Sequence, residues 1–435
     1  MKKLTVVVGI LLFLPVGVLG AVNSVKVSGD VTSTAITRDF SLDSSGNCDS
    51  SDLIILQTRL RIDAALTEGV NAVIRFINER VWGQEDNSSG NTDINLDLAY
   101  LEMKEFFSPV ATLIIGRQNL RYGSALIVGD PDTNQTASVK VPTLVSDLSL
   151  RKAFDAVRLI LDYSPYMLDL IYAKVSEGTT NVNDDVTLFG ANLAYAWNSY
   201  NGLTNIYFFG SDKAPLNPAG TQDENSKVYV IGASAQASPN DNLTLSLESA
   251  YEFGDYRAGA ASHAHLSAYA IEAGIQYRFL DEKNSQVGLT YVYLSGDNSS
   301  SNNYNTWNPM FEDQSVGEII NILFANSNCQ LVSLNGSFMP REDLTIGGLY
   351  TKLYLAERLG LTTYSPTVGP ANSNNYTVNP DKKEVGDEID IFAIYDYTED
   401  VQFKLTGAWF EPGNWFTSSN DNPAYSLKGS VKVVF

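Results

Sequence analysis

From about residue 25 to residue 435, apolar and polar side chains alternate in runs of roughly ten residues, broken by short turns and by longer polar stretches. The last run shows the pattern best. Tyr425, Leu427, Gly429, Val431, Val433 and Phe435 fall on one face of an extended chain, and Ser426, Lys428, Ser430 and Lys432 on the other. In 243–253, Leu243, Leu245, Leu247, Ser249, Tyr251 and Phe253 oppose Thr244, Ser246, Glu248, Ala250 and Glu252. In 265–279, Tyr269, Ile271, Ala273, Ile275, Tyr277 and Phe279 oppose Glu272, Gly274, Gln276 and Arg278. Each is a strand wetted on one side only.

The same reading predicts strands near 25–39, 52–66, 70–82, 93–105, 111–122, 151–163, 167–176, 186–197, 203–211, 226–237, 243–253, 265–279, 286–295, 328–338, 344–356, 385–397, 401–411 and 423–435. Short turn-like links (67–69, 164–166, 238–242, 398–400) alternate with long polar ones such as 123–150, 296–327 and 357–384. Tight turns at one end and extended loops at the other are what an even-stranded barrel with both termini on one side produces. The expected fold is therefore all-β: a transmembrane antiparallel β-barrel of 18 strands with short periplasmic turns and long extracellular loops. A soluble barrel or solenoid would show the same alternation with its apolar face in a core. Eighteen strands enclose more space than side chains fill, which favours an aqueous lumen.

The amino terminus agrees. Met1-Lys2-Lys3, the apolar run Leu4 to Leu14 and the small-residue exit Val18-Leu-Gly20 read as a signal peptide over 1–20, leaving one barrel domain over 21–435. That run is too short to span a bilayer as a helix. The closing aromatic strand is the expected handle for outer-membrane assembly machinery, and lipid and lipopolysaccharide are the expected surroundings.

Composition adds little to the fold but excludes partners. A formal charge of −21, more negative once Lys2 and Lys3 are removed, argues against nucleic acid. Tyr 23, Phe 19 and Trp 5 supply interfacial girdles. Cys48 and Cys329 lie beside predicted outer loops on separate strands, and no disulfide is expected between them.

Parity places the charges. Gln57, Arg59, Arg61 and Asp63 share a face that points inward, as do Arg75 and Glu79 on the next strand. Arg117, Asn119 and Arg121 share a face on the fifth strand, and Arg158 and Asp162 on the sixth. The expected lumen thus has an arginine-rich wall suited to carboxylated or phosphorylated solutes. Glu248, Glu252 and Glu272 would face it across the barrel and set up a transverse field. The plainer reading is a brace of ion pairs with Asp63, Glu79, Asp155 and Asp162.

Several segments resemble the alginate-export family of outer-membrane barrels: Ala99-Tyr-Leu-Glu102, Gly116-Arg-Gln118 with Tyr122-Gly123, Phe154-Asp-Ala-Val-Arg158, Ser295-Gly-Asp297 leading to Asn308-Pro-Met-Phe311, and Gly386-Asp-Glu-Ile389 leading to Phe410-Glu-Pro-Gly413. They occur in the family's order over most of the chain. The resemblance implies a monomeric eighteen-stranded barrel and, by its best-known member, export of an anionic uronate polysaccharide through an electropositive constriction. That role would fall on Arg117 and on Arg158 with Asp155. Ala156 stands where the family often has Gly.

Other chemistry is sparse. His263 and His265 sit beside Ser262 and Ser267, and His265 and Ser267 share a strand face as in outer-membrane phospholipases, but no orienting acid is legible. Two histidines two apart lack a third metal ligand. Asp130-Pro-Asp132, Asp184-Asp185 and Asp297 are read as solvated loop acids, and no cofactor is expected. If the 123–150 loop folded inward, Lys140, Asp130 and Asp132 would join the constriction.

The expected function is a passive outer-membrane channel for anionic saccharide or polysaccharide solutes, with a periplasmic scaffold needed only for export. The alternatives are a structural or adhesive barrel with a closed lumen, or an outer-membrane phospholipase.

Overall fold

The computed structural model describes residues 22–43, 51–83, 94–131, 148–177, 185–213, 226–257, 263–297, 303–365 and 375–435. Residues 1–21 and Cys48, Asp132, Lys140, Asp184 and Ser262 lie outside these ranges. The strands in chain order are β1 (Ser24–Asp39), β2 (Ser51–Thr67), β3 (Val70–Val81), β4 (Asn95–Lys104), β5 (Ala111–Asn119), β6 (Ala153–Tyr163), β7 (Tyr166–Ser176), β8 (Val186–Ala196), β9 (Leu203–Lys213) and β10 (Ser226–Ala237). They continue with β11 (Leu243–Arg257), β12 (His263–Arg278), β13 (Gln286–Leu294), β14 (Asn303–Tyr304), β15 (Cys329–Arg341), β16 (Leu344–Leu355), β17 (Thr363–Tyr364), β18 (Tyr376–Thr377), β19 (Glu384–Asp396), β20 (Val401–Pro412) and β21 (Ala424–Val434).

The two-residue strands β14, β17 and β18 belong to links. The other 18 pair antiparallel with their neighbours in the chain, and β1 pairs β21 from Asp30↔Val434 to Asp39↔Tyr425, which closes the barrel. Closure leaves no unpaired edge, the condition for strands to cross a bilayer. Links 68–69, 105–110, 164–165, 197–202, 238–242, 279–285, 342–343 and 397–400 lie at the end that carries both termini. The longer links, among them 120–152, 295–328 and 356–383, lie at the other.

Register fixes the faces. Gln57, Arg59 and Arg61 pair with Thr32, Asp30 and Ser28 on one side and with Glu79, Ile77 and Arg75 on the other. These point inward, while Leu60, Ile74, Leu101, Ile115, Val157, Leu170, Leu193, Ile206, Ile231 and Leu247 form an exposed apolar band outside. Stacked, tilted and edge-on aromatic pairs border the band, including Phe189 with Tyr229, Tyr229 with Phe253 and Tyr269 with Tyr293 at one margin, and Tyr166 with Tyr195 and Tyr277 with Phe279 at the other. An apolar belt with aromatic girdles is the surface that hydrocarbon requires.

The interior departs from a simple water-filled cylinder. β5 ends at Asn119, short of the expected 122, because the chain turns inward at Leu120 and carries residues 120–131 into the lumen. Residues 305–324, including the one-turn helix α1 (Ile320–Leu323), enter as well. The two loops join at Val128↔Phe311, with Phe311 N–H donating to Ile127 O at 3.0 Å and Asp313 N–H to Ala125 O at 2.9 Å. Leu126, Ile127, Val128, Trp307, Phe311, Ile319, Ile320 and Leu323 pack on inward-facing Phe154, Ile171, Leu188, Phe209, Val230, Ala268, Ala270, Leu294 and Leu331. Each such large side chain contributes about 1.5–3 kcal/mol on burial, so this body is packed and does not dangle. A separate small cluster, Ile36, Ile55 and Val81 with Leu53 and Leu148, covers β1–β3. Nearer the termini, lumen-facing Gln236, Ser246, Gln276 and Lys404 stay exposed, and that half of the lumen is open to water.

Candidate permeation path

Charged side chains occupy the strip between the two apolar clusters. Arg59 Nε donates to Asp30 Oδ1 and Oδ2 at 2.7 and 2.9 Å. Arg61 grips Asp63 with Nε and Nη2 at 2.8 and 2.7 Å. Arg75 pairs with Asp97, and Arg158 pairs with Asp169 while its guanidinium lies 5.8 Å from the Tyr122 ring centre. Glu79 accepts from Gln57 Nε2, Ser149 Oγ and Leu150 N–H, each at 2.8 Å, and Arg151 stands 3.6 Å away. Arg59, Arg61, Arg75, Glu79 and Arg158 are thus on the inward face, each already held by a partner.

Some of those partners were not legible. Asp97 is the extra residue at a register shift, where Arg75 pairs with Leu98 and Phe76 with Leu96, so simple alternation misassigns it. Asp169 sits alone among apolar neighbours on β7. Asp162, expected beside Arg158, lies at the end of β6 and accepts Ser164 N–H at 2.9 Å.

Arg117 and Asp155 are corrected. Both face outward: Arg117 follows Ile115 in parity and pairs with Asp155, which precedes Val157, and both apolar residues are exposed on the outer surface. Asp155 and Arg158 are three apart, and a period of two puts them on opposite sides of the wall. Arg121 is corrected in a different sense. It lies past the end of β5, on the inward loop, where it meets Asp313.

The transverse field expected from Glu248, Glu252 and Glu272 is also corrected. These side chains do face the lumen, but the loops cover them. Glu248 accepts Ser124 N–H at 2.7 Å and Tyr207 OH at 2.7 Å, and Glu252, fully buried, accepts Asn308 N–H at 2.8 Å. Glu272 takes the Ser124 hydroxyl at 3.0 Å and the Gln314 amide. Glu388 on β19 does the same for Ile319 N–H and Ile320 N–H at 2.8 and 2.7 Å. A buried carboxylate that accepts loop amides is an anchor, with little charge left to display.

Gly123 makes the first anchor possible. Its φ is +58°, and a Cβ there would lie 2.5 Å from Glu248 Oε2.

Several of the remaining singled-out residues have local partners. His265 Nδ1 lies 3.0 Å from Asp255 Oδ1, while Ser267 Oγ meets Tyr251 OH at 3.0 Å. The His265 and Ser267 side chains therefore engage different partners. Asp185 pairs with Lys174, and Asp130 N–H donates to Phe311 O at 3.0 Å. Cys329 is a buried free thiol.

Among solved structures, Pseudomonas aeruginosa OccK8 (OprE) is similar with a TM-score of 0.59 at 11% identity, covering 96% of this chain and 99% of that one. P. aeruginosa OpdQ gives 0.57 at 14%, covering 94% and 98%. P. aeruginosa OccK2 (OpdF), solved in complex with glucuronate, gives 0.55 at 10%, covering 96% and 100%. At such identities the likeness carries the fold. No curated protein sequence matches. A family model described as alginate export matches residues 32–427, nearly the whole barrel. With the closed barrel and its neighbours, this supports a porin-like channel of the cell outer membrane, and the chain belongs to the alginate export family.

Proposed function

We propose that this protein is a passive channel for anionic, saccharide-class solutes, and that they travel beside β1–β6 rather than along the barrel axis. The observation that carries this reading is the strip of Arg59, Arg61, Arg75, Arg158, Arg121 and Lys152 between two apolar clusters, opening onto a wet lower lumen. Planar guanidiniums offer paired donors to carboxylate oxygens, and a similar barrel was solved with a uronate. The termini and short turns would lie on the periplasmic side, with the aromatic β21 as the recognition strand for assembly and a periplasmic scaffold needed only to deliver polymer.

One observation favours the closed-lumen alternative: the loop body fills much of the half distant from the termini. Planar-bilayer recordings under a salt gradient separate the two. Conductance with an anion-favouring reversal potential, reduced by added glucuronate, is expected. Absence of conductance would support the structural barrel, and cation preference would overturn the anionic reading.

A further inference from the structure

Two cations reach the lumen from the base of one inward loop and share a carboxylate from the other. Arg121 lies two residues past the end of β5, Lys152 directly precedes β6, and both engage Asp313. Asp313 has little freedom, because its own N–H is tied to Ala125 O at 2.9 Å and the preceding residues are zipped to 127–130. Arg121 is fixed from its other nitrogen, which donates to Ser124 O at 3.3 Å. The clasp is built at the point where the two loops fuse.

Its balance differs from that of the wall. Arg59, Arg75 and Arg158 each have a carboxylate of their own, and their side chains are only 16–24% exposed. Arg121 and Lys152 are 54% and 40% exposed and divide one acid between them. A one-to-one pair presents a dipole whose field falls quickly with distance. Two cations that divide one carboxylate keep donors unused, and at this exposure a solute oxygen can still reach them.

We propose that Arg121 and Lys152, aligned by Asp313, are the specificity-determining residues of the channel and engage the carboxylate or phosphate oxygens of a passing solute. The wall arginines, each matched by its own carboxylate, line the same path and brace the barrel. This rests on the anion-channel reading above, and Asp313 is a positioning residue that also attenuates the charge it organises.

The test uses the full barrel in planar bilayers, with reversal potentials in a KCl gradient and glucuronate as the blocking probe, on variants that keep heat-modifiable migration. R121A/K152A is expected to lower anion preference by roughly three- to tenfold and to weaken glucuronate block. D313N, which leaves both cations in place, is expected to raise them. The paired neutral replacement R59Q/D30N is expected to change selectivity less than R121A/K152A does, and the outward-facing R117Q to leave it close to wild type. An anion-preferring wild type whose preference is unchanged in R121A/K152A, or falls in D313N, overturns this inference alone. A stronger effect in R59Q/D30N than in R121A/K152A also overturns it. A wild type without anion preference overturns the anion-channel reading on which it rests.

Discussion

Arg117 and Asp155 meet across β5 and β6 on the outside of the barrel, with Nη1 and Oδ2 3.2 Å apart. They begin a row that register continues through Lys174, Thr187, Asp212, Lys227, Asp255 and His265, one residue from each of β7 to β12. The adjacent outward row is Val157, Tyr172, Phe189, Gly210, Tyr229 and Phe253. A lone Arg or Lys facing lipid costs roughly 2–4 kcal/mol at the bilayer midplane and about 0–1 kcal/mol near the interface. An alternating charged row beside an aromatic one therefore marks where hydrocarbon ends on this side of the barrel.

Because Arg117 is outside the lumen, Arg117→Gln should leave the reversal potential unchanged. Arg158→Gln, on the inner face, should shift it toward cations. Recordings under one salt gradient compare the two directly, and a shift in the Arg117 variant would mean that its outward assignment is mistaken.

The loop body should loosen when its anchors go. Glu388→Ala removes the acceptor for two adjacent backbone N–H groups, and a buried donor left unpaired costs about 1–3 kcal/mol. The expected result is an intact barrel with larger and noisier single-channel conductance. Unaltered conductance would show that apolar packing alone seats the loop.

Gly123→Ala tests the same body from the loop side. A Cβ would press on both Glu248 carboxylate oxygens while forcing a side chain into a left-handed backbone. Displacement of Ser124 from Glu248 should raise protease sensitivity in 120–131 without unfolding the barrel, readable by limited proteolysis in detergent.

Glu312 adds a pH dependence. Burial in the loop core pushes its carboxyl up to about 7, against the 4.5 of a free side chain. Below about pH 4.5 it is protonated whether the loop is packed or released, and ionisation then penalises the packed form progressively as pH rises through about 7. Loop docking should be tightest in acid, so channel flicker should increase from about pH 5 to about pH 8 and flatten in Glu312→Gln. Equal pH dependence in that variant would assign the effect to another group.

Much of the wall was legible because one rule governs it. Period-two alternation needs no partner, and it located β10 at 226–237 and the inward faces of Arg59, Arg61 and Arg75. The rule failed where charge was allowed to choose the face. Arg117 shares parity with Leu113 and Ile115, and those apolar neighbours carried the better signal. A second overlooked signal is that Val228, Val230, Leu266, Ala268 and Ala270 make their strands apolar on the inward side too, which makes sense only if protein packs within.

The sequence by itself determined a closed, lipid-facing sheet, since alternation and turn residues act locally and each strand has only neighbours to pair with. The tertiary structure decided what fills that sheet. Residues far apart in the chain, Ser124 with Glu248, Asn308 with Glu252 and Asp313 with Arg121 and Lys152, meet only once the barrel has closed and the loops have turned inward. No local period encodes such contacts, because they depend on which backbone donors a buried carboxylate can reach across the lumen.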